Sequence, residues 1–143
     1  ARQLMEENKF AEAAVALGDA LQLDPRSLKT IRMMVRLFLD QKDYDRAFAQ
    51  VEDYIYLRPL DTDMIYLASY LCKKLKKLRD AAEFGERVRL RAPDMVRNLL
   101  NLSEVYARLG NKDRSAKILR EVYKLEPDNK KADKLRKLLE TAA

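Results

Sequence analysis

The chain has 143 residues, 48% of them apolar and 36% charged, enough for one domain and with no apolar run near the ~18 residues of a transmembrane helix. It has no His, no Trp and a single Cys, which excludes nucleophile–His catalysis, His-containing zinc sites and disulfides within the chain. Lys and Arg number 29 against 23 Asp and Glu, a net +6, while only 3 Gly and 4 Pro leave little material for turns, so long helices are favoured over strands.

In chain order, Ala1 to Glu7 reads as the trailing half of a helix, lacks the apolar core of a signal peptide and has no initiator Met. The expected compartment is the cytoplasm, and the chain is expected to be a piece of a longer protein with more repeats upstream. Helices follow over about 10–23, 28–41, 44–57, 62–75, 78–91, 96–109 and 112–125, and a final one over 129–141. In the second, Ile31, Met34, Val35 and Phe38 fall at i, i+3, i+4 and i+7, one apolar stripe of a helix. In the next, Tyr44, Ala47, Val51, Tyr54 and Ile55 form another stripe, so the two make a hairpin. Pro25, Pro59, Pro93 and Pro127 stand where hairpins end, because Pro cannot continue a helix from the preceding turn. Ser27, Asp61, Asp94 and Asp128 are the expected N-caps of the following helices. Asn8 and Gly110 suit a left-handed residue in the turn inside a hairpin, whereas Lys42 and Lys76 at the same phase do not. The last helix carries Lys130, Lys131, Lys134, Arg136 and Lys137 around Leu135, Leu138 and Leu139, as a capping helix with one apolar face would.

Successive prolines are 34 residues apart, and the same step links Ala13, Ala47, Ala81 and Ser115, a small-residue column. It also links Leu4, Phe38, Cys72 and Tyr106, and Ile31, Ile65 and Leu99. These columns resemble the tetratricopeptide repeat (TPR) family, whose loose pattern is W-x2-L-G-x2-Y, A-x3-F and P. Leu99, Leu102, Ser103, Tyr106, Ser115, Leu119 and Pro127 keep every spacing of that pattern. The resemblance implies an all-α, right-handed α-solenoid of helical hairpins forming a single domain over 1–143: a partial repeat at 1–27, full repeats at 28–61, 62–95 and 96–129, and a capping helix at 130–143. Gly85 stands where Leu17, Val51 and Leu119 stand in the other repeats, and Arg91 where they have Leu23, Leu57 and Leu125, so a local shift of the helix over 78–91 is expected.

No Gly-rich phosphate loop or clustered metal ligand occurs, and acidic pairs such as Glu6 and Glu7 or Asp43 and Asp45 fall at helix ends without an apolar pocket to raise a pKa. The chain is therefore expected not to be an enzyme and to need no cofactor or small-molecule substrate. Cys72 lies in an apolar column and is expected to be an inert, buried space-filler. Tyr44, Tyr54, Tyr106 and Tyr123 occupy packing columns.

Tyr66 and Tyr70 do not. With Ile65, Ala68, Ser69 and Cys72 taken by the core, they project with Leu67 and Lys74 to the opposite side, which in stacked hairpins becomes the concave wall. The flanking repeats supply Lys29, Arg32, Met33 and Arg36, and Arg97, Leu100 and Asn101. An apolar strip of Met33, Leu67, Leu100, Tyr66 and Tyr70 inside a basic rim reads as a peptide groove, and the partner expected is a protein segment that is acidic and partly apolar. The chain is net acidic over 1–27, balanced over 28–61 and net basic beyond, with Lys73, Lys74, Lys76 and Lys77 the densest cluster, read as a solvated turn. Two alternatives remain: a nucleic-acid-binding α-solenoid using the basic C-terminal half, and a TPR secretion chaperone shielding a client segment. The carboxylate clamp by which some TPR domains hold acidic chaperone tails fits poorly. Arg32 and Arg97 could replace its lysines, but Arg36 and Leu67 stand where its asparagines belong, and Asn101 where a basic residue belongs.

Overall fold

A computed structural model describes residues 27–141 together with Glu12 and Val15, which are helical and exposed. The rest of the helices expected over 1–7 and 10–23 lies outside the described residues. Seven helices follow, α1 (Leu28–Asp40), α2 (Tyr44–Leu57), α3 (Thr62–Lys74), α4 (Leu78–Arg91), α5 (Val96–Arg108), α6 (Lys112–Leu125) and α7 (Lys130–Thr141), with no strand among the described residues. Each expected boundary is met within one residue, since both the apolar stripe and the turn signals are local. None of these helices is long and apolar enough to cross a membrane.

The chain divides into two compact units, Ala1–Leu60 and Asp61–Ala143. In the first, α1 and α2 pack as a hairpin, burying Ile31, Met34, Val35 and Phe38 on α1 and Ala47, Val51 and Tyr54 on α2. In the second, α3 packs on α4, α4 on α5, α5 on α6 and α6 on α7, while α5 also meets both α3 and α7. A core of Leu99, Leu102, Tyr106, Ile118, Leu119, Val122 and Ala132 joins α5, α6 and α7, each large aliphatic side chain in it contributing about 2 kcal/mol by leaving water. Ser115 of the small-residue column sits where α5 and α6 touch. Ser103 Oγ lies 3.0 Å from the Ser115 carbonyl and Ser115 Oγ donates to the Ser103 carbonyl at 2.7 Å, so both buried hydroxyls are satisfied across α5 and α6.

The turns inside the hairpins repeat one geometry. Lys42, Lys76 and Gly110 have φ of 59, 62 and 83°. Asp43, Lys77 and Asn111 donate their amides back to the Phe38, Cys72 and Tyr106 carbonyls at 2.8, 2.8 and 2.9 Å. This is a helix-ending left-handed turn that caps the last carbonyls, and it holds the two lysines in the conformation their side chains were expected to disfavour.

The N-caps obey the period more strictly than expected. Ser27 and Asp61 accept from the amides of Thr30 and Met64, both at 3.3 Å, and Asn129 accepts from Ala132 N at 2.9 Å. The 34-residue column is thus Ser27, Asp61, Met95 and Asn129, and the expected caps Asp94 and Asp128 each stand one residue too early. Met95 has no acceptor to offer, so α5 starts without a side-chain cap.

The expected shift near Gly85 does not occur either. The starts of α2, α4 and α6, at Tyr44, Leu78 and Lys112, keep the 34-residue step. Gly85 is buried where a Cβ would lie 2.7 Å from Leu102 Cδ1 and 3.3 Å from Ser69 Oγ, so the missing side chain is what lets Leu102 of α5 close onto α4.

Candidate functional site

The proposed groove residues fall in both units. On α1, Lys29, Met33 and Arg36 are exposed. Arg32 is exposed but engaged, its Nη2 and Nε donating to the Tyr54 hydroxyl at 2.7 and 3.1 Å with the guanidinium over the ring. The remaining seven belong to the second unit. There Tyr66, Tyr70, Arg97, Leu100 and Asn101 converge on one pocket of about 320 Å³ that is also lined by Lys73, Glu104, Lys131, Lys134 and Leu135. Leu67, half-buried, and Lys74, exposed beside the Tyr70 ring, are not among its lining residues.

Helices α3, α5 and α7 build the pocket. From α3 come Tyr66 and Tyr70, one helical turn apart, and Lys73. Lys73 is only 7% exposed, which removes it from the solvated cluster it was expected to join with Lys74, Lys76 and Lys77. Its ammonium lies 2.7 Å from Glu104 Oε2 and 5.0 Å from the centre of the Tyr70 ring, while Arg108 donates to Glu104 Oε1 at 2.9 Å. At the rim, Arg97 pairs with the Asp63 carboxylate and lies 5.1 Å over the Tyr66 ring. Burial pushes the Tyr66 phenol above its ordinary pKa, Arg97 opposing and Tyr70 adding to the effect, so both hydroxyl chemistry and ring face are those of a neutral phenol.

Asn101 was expected on the water-facing wall and is instead 4% exposed. Its Nδ2 donates to Ser69 Oγ at 2.9 Å, and Ser69 Oγ donates to the Ala81 carbonyl at 2.6 Å. Its Oδ1 has no hydrogen-bond partner. That oxygen has no surface open to solvent, and leaving it unpaired costs about 1–3 kcal/mol.

Reasoning from the sequence missed Lys131, Lys134 and Leu135, although the period held the signal. Helix α7 takes the position of the first helix of a next repeat, as its Asn129 cap shows, so the concave columns continue through it: Asp63, Arg97, Lys131; Tyr66, Leu100, Lys134; and Leu67, Asn101, Leu135. Reading α7 only as a cap concealed them. Cys72 is buried on α3 away from this lining, and no group of three His, Cys, Asp or Glu among the described residues could hold a metal ion. The site offers ring faces, aliphatic side chains and cations.

Two tetratricopeptide repeat models match the chain, one over residues 4–68 and one over 96–129. The tetratricopeptide repeat-containing protein trd-1 of Caenorhabditis elegans is 27% identical over 101 residues, which are 71% of this chain and 13% of that protein, so the chain spans a small part of this relative. Among solved structures, a crystal structure of MamA superposes with a TM-score of 0.86 at 15% identity, covering 98% of this chain and 82% of that one. Residues 41 to the end of MamA from Desulfovibrio magneticus RS-1 superpose with a TM-score of 0.77 at 18% identity, covering 89% and 72%. At such identities these likenesses concern the fold, an all-α TPR solenoid.

Proposed function

Because this chain belongs to the tetratricopeptide repeat family, we propose that it is a protein–protein interaction scaffold holding an acidic, partly apolar peptide segment of a partner protein. The observation that carries this reading is the pocket formed by Tyr66, Tyr70, Leu100 and Leu135 beneath Lys131 and Lys134. Its volume is at the low end of the range for ligand sites, room for one large side chain and its flanking backbone. Tyr and Arg are common anchors of interfaces because they bury a rigid apolar surface and still hydrogen-bond. The cations favour an acidic ligand. The family's usual behaviour supports binding over chemistry.

The reading is tested by affinity capture with wild-type chain and with Tyr70→Ala, followed by calorimetry on the captured segment. Tyr70→Ala should weaken binding by about 1–2 kcal/mol while circular dichroism stays helical. The residual affinity should fall only modestly as salt is raised several-fold. A collapse with salt at the steep slope expected for several neutralised phosphates would instead favour the nucleic-acid alternative.

A further inference from the structure

Resting on the peptide reading above, we propose that α7 is a wall of the binding site and its specificity element: Lys131 and Lys134 take a carboxylate that lies within two residues of the apolar side chain seated between Tyr66, Tyr70, Leu100 and Leu135. Four cationic side chains line the pocket, and they are not equivalent. Lys73 is neutralised by Glu104, and Arg97 by Asp63. Lys131 and Lys134 are exposed, form no ion pair among the described residues, and stand together on the last wall of the pocket. They are one turn apart on α7, with Leu135 adjoining Lys134 and packed against the core, so charge and apolar contact are offered side by side by a helix anchored through Ala132.

A peptide supplies both complements within a few residues: an apolar side chain for the tyrosines and leucines, and a carboxylate for the lysines. A nucleic acid suits the pocket poorly, because Glu104 and Asp63 would face its phosphates and only two cations are unmatched.

The test selects short random peptides displayed on phage against the immobilised full chain, then measures capped synthetic versions by fluorescence anisotropy. Enriched peptides should carry Asp or Glu within two positions of Leu, Phe or Tyr. The pair Lys131→Glu with Lys134→Glu should weaken them about tenfold or more, and selection repeated on that variant should exchange the acidic residues for basic ones. The pair Lys130→Glu with Lys137→Glu changes net charge equally on exposed positions of the same helix outside the pocket, and should change affinity by less than about twofold. Circular dichroism of both pairs reports that they fold. Peptides that respond to Tyr70→Ala and not to the Lys131 and Lys134 pair would overturn the role of α7 and leave the scaffold reading standing. Failure to enrich any peptide over a Tyr70→Ala control would overturn both. So would a single-stranded oligonucleotide that binds and displaces the peptides, or self-association that the same pair abolishes.

Discussion

The Lys73 ammonium on α3 is hydrogen-bonded to the Glu104 carboxylate on α5 at 2.7 Å, with the lysine side chain 8% exposed and the glutamate 31%. This pair ties the two helices that supply most of the pocket. Burial by itself would raise the Glu104 pKa, but the hydrogen bonds and charges of Lys73 and Arg108 outweigh it and hold the carboxyl below its ordinary 4.5. A carboxyl depressed in the folded state contributes stability that is fully present above its unfolded pKa and is lost as pH falls through its folded one.

Glu104→Gln should therefore cost about 2 kcal/mol at neutral pH, chiefly by leaving the Lys73 charge buried without its partner. Combining it with Lys73→Met should recover part of that loss, since the uncompensated charge is gone. Below pH about 4.5 the wild-type melting temperature should fall more steeply than that of Glu104→Gln, which has no proton to take up at this site. Thermal denaturation of the wild type and the two variants between neutral and acid pH checks both statements. A single variant no less stable than wild type would mean that the pair contributes nothing.

Lys42 and Lys76 lie in the left-handed region that Gly110 occupies without strain. Lys42→Gly and Lys76→Gly should each stabilise the chain by about 1 kcal/mol, because relief of the Cβ conflict exceeds the entropy that glycine adds to the unfolded chain. Gly110→Lys should lose a similar amount. A Cβ there meets nothing within 4 Å, so the cost is purely that of the backbone. Denaturant midpoints of the three variants measure this, and a destabilised Lys76→Gly would show that the lysine side chain contributes more than its backbone costs.

At Gly85 two effects oppose each other. Alanine would gain about 1 kcal/mol of helix propensity, but its Cβ would approach Leu102 Cδ1 to 2.7 Å in a fully buried place. Overpacking of this kind costs about 1–3 kcal/mol, so Gly85→Ala should be net destabilising. Leu102→Val in the same chain should lessen the loss by withdrawing the obstructing methyl. A rise in melting temperature for the single variant would show that Leu102 can turn aside at little cost.

The seven described helices and the pairing of neighbours into hairpins were legible in the sequence because each rests on local rules: a stripe at i, i+3, i+4 and i+7, and a proline. Residue preference pointed to Asp94 and Asp128 as caps, whereas the helices start after Met95 and Asn129, which keep the 34-residue step from Ser27 and Asp61. The candidate face was inferred as what remains once Ile65, Ala68, Ser69 and Cys72 are assigned to the core, and all four are buried.

What only the tertiary structure decided is which neighbours in sequence part company in space. Lys73 and Lys74 are adjacent and chemically alike, yet Lys73 is buried against Glu104 while Lys74 stays exposed, because the carboxylate that neutralises one of them is 31 residues away on α5. The same holds for Asn101, whose burial depends on Ser69, 32 residues distant, and for Gly85, whose role is set by the approach of Leu102. It holds too for α7, whose Lys131 and Lys134 join the tyrosines of α3 only once α5 packs against both helices. Helix formation is decided by residues within a turn of one another, whereas a pocket is decided by which helices touch, and that follows from the packing of side chains far apart along the chain.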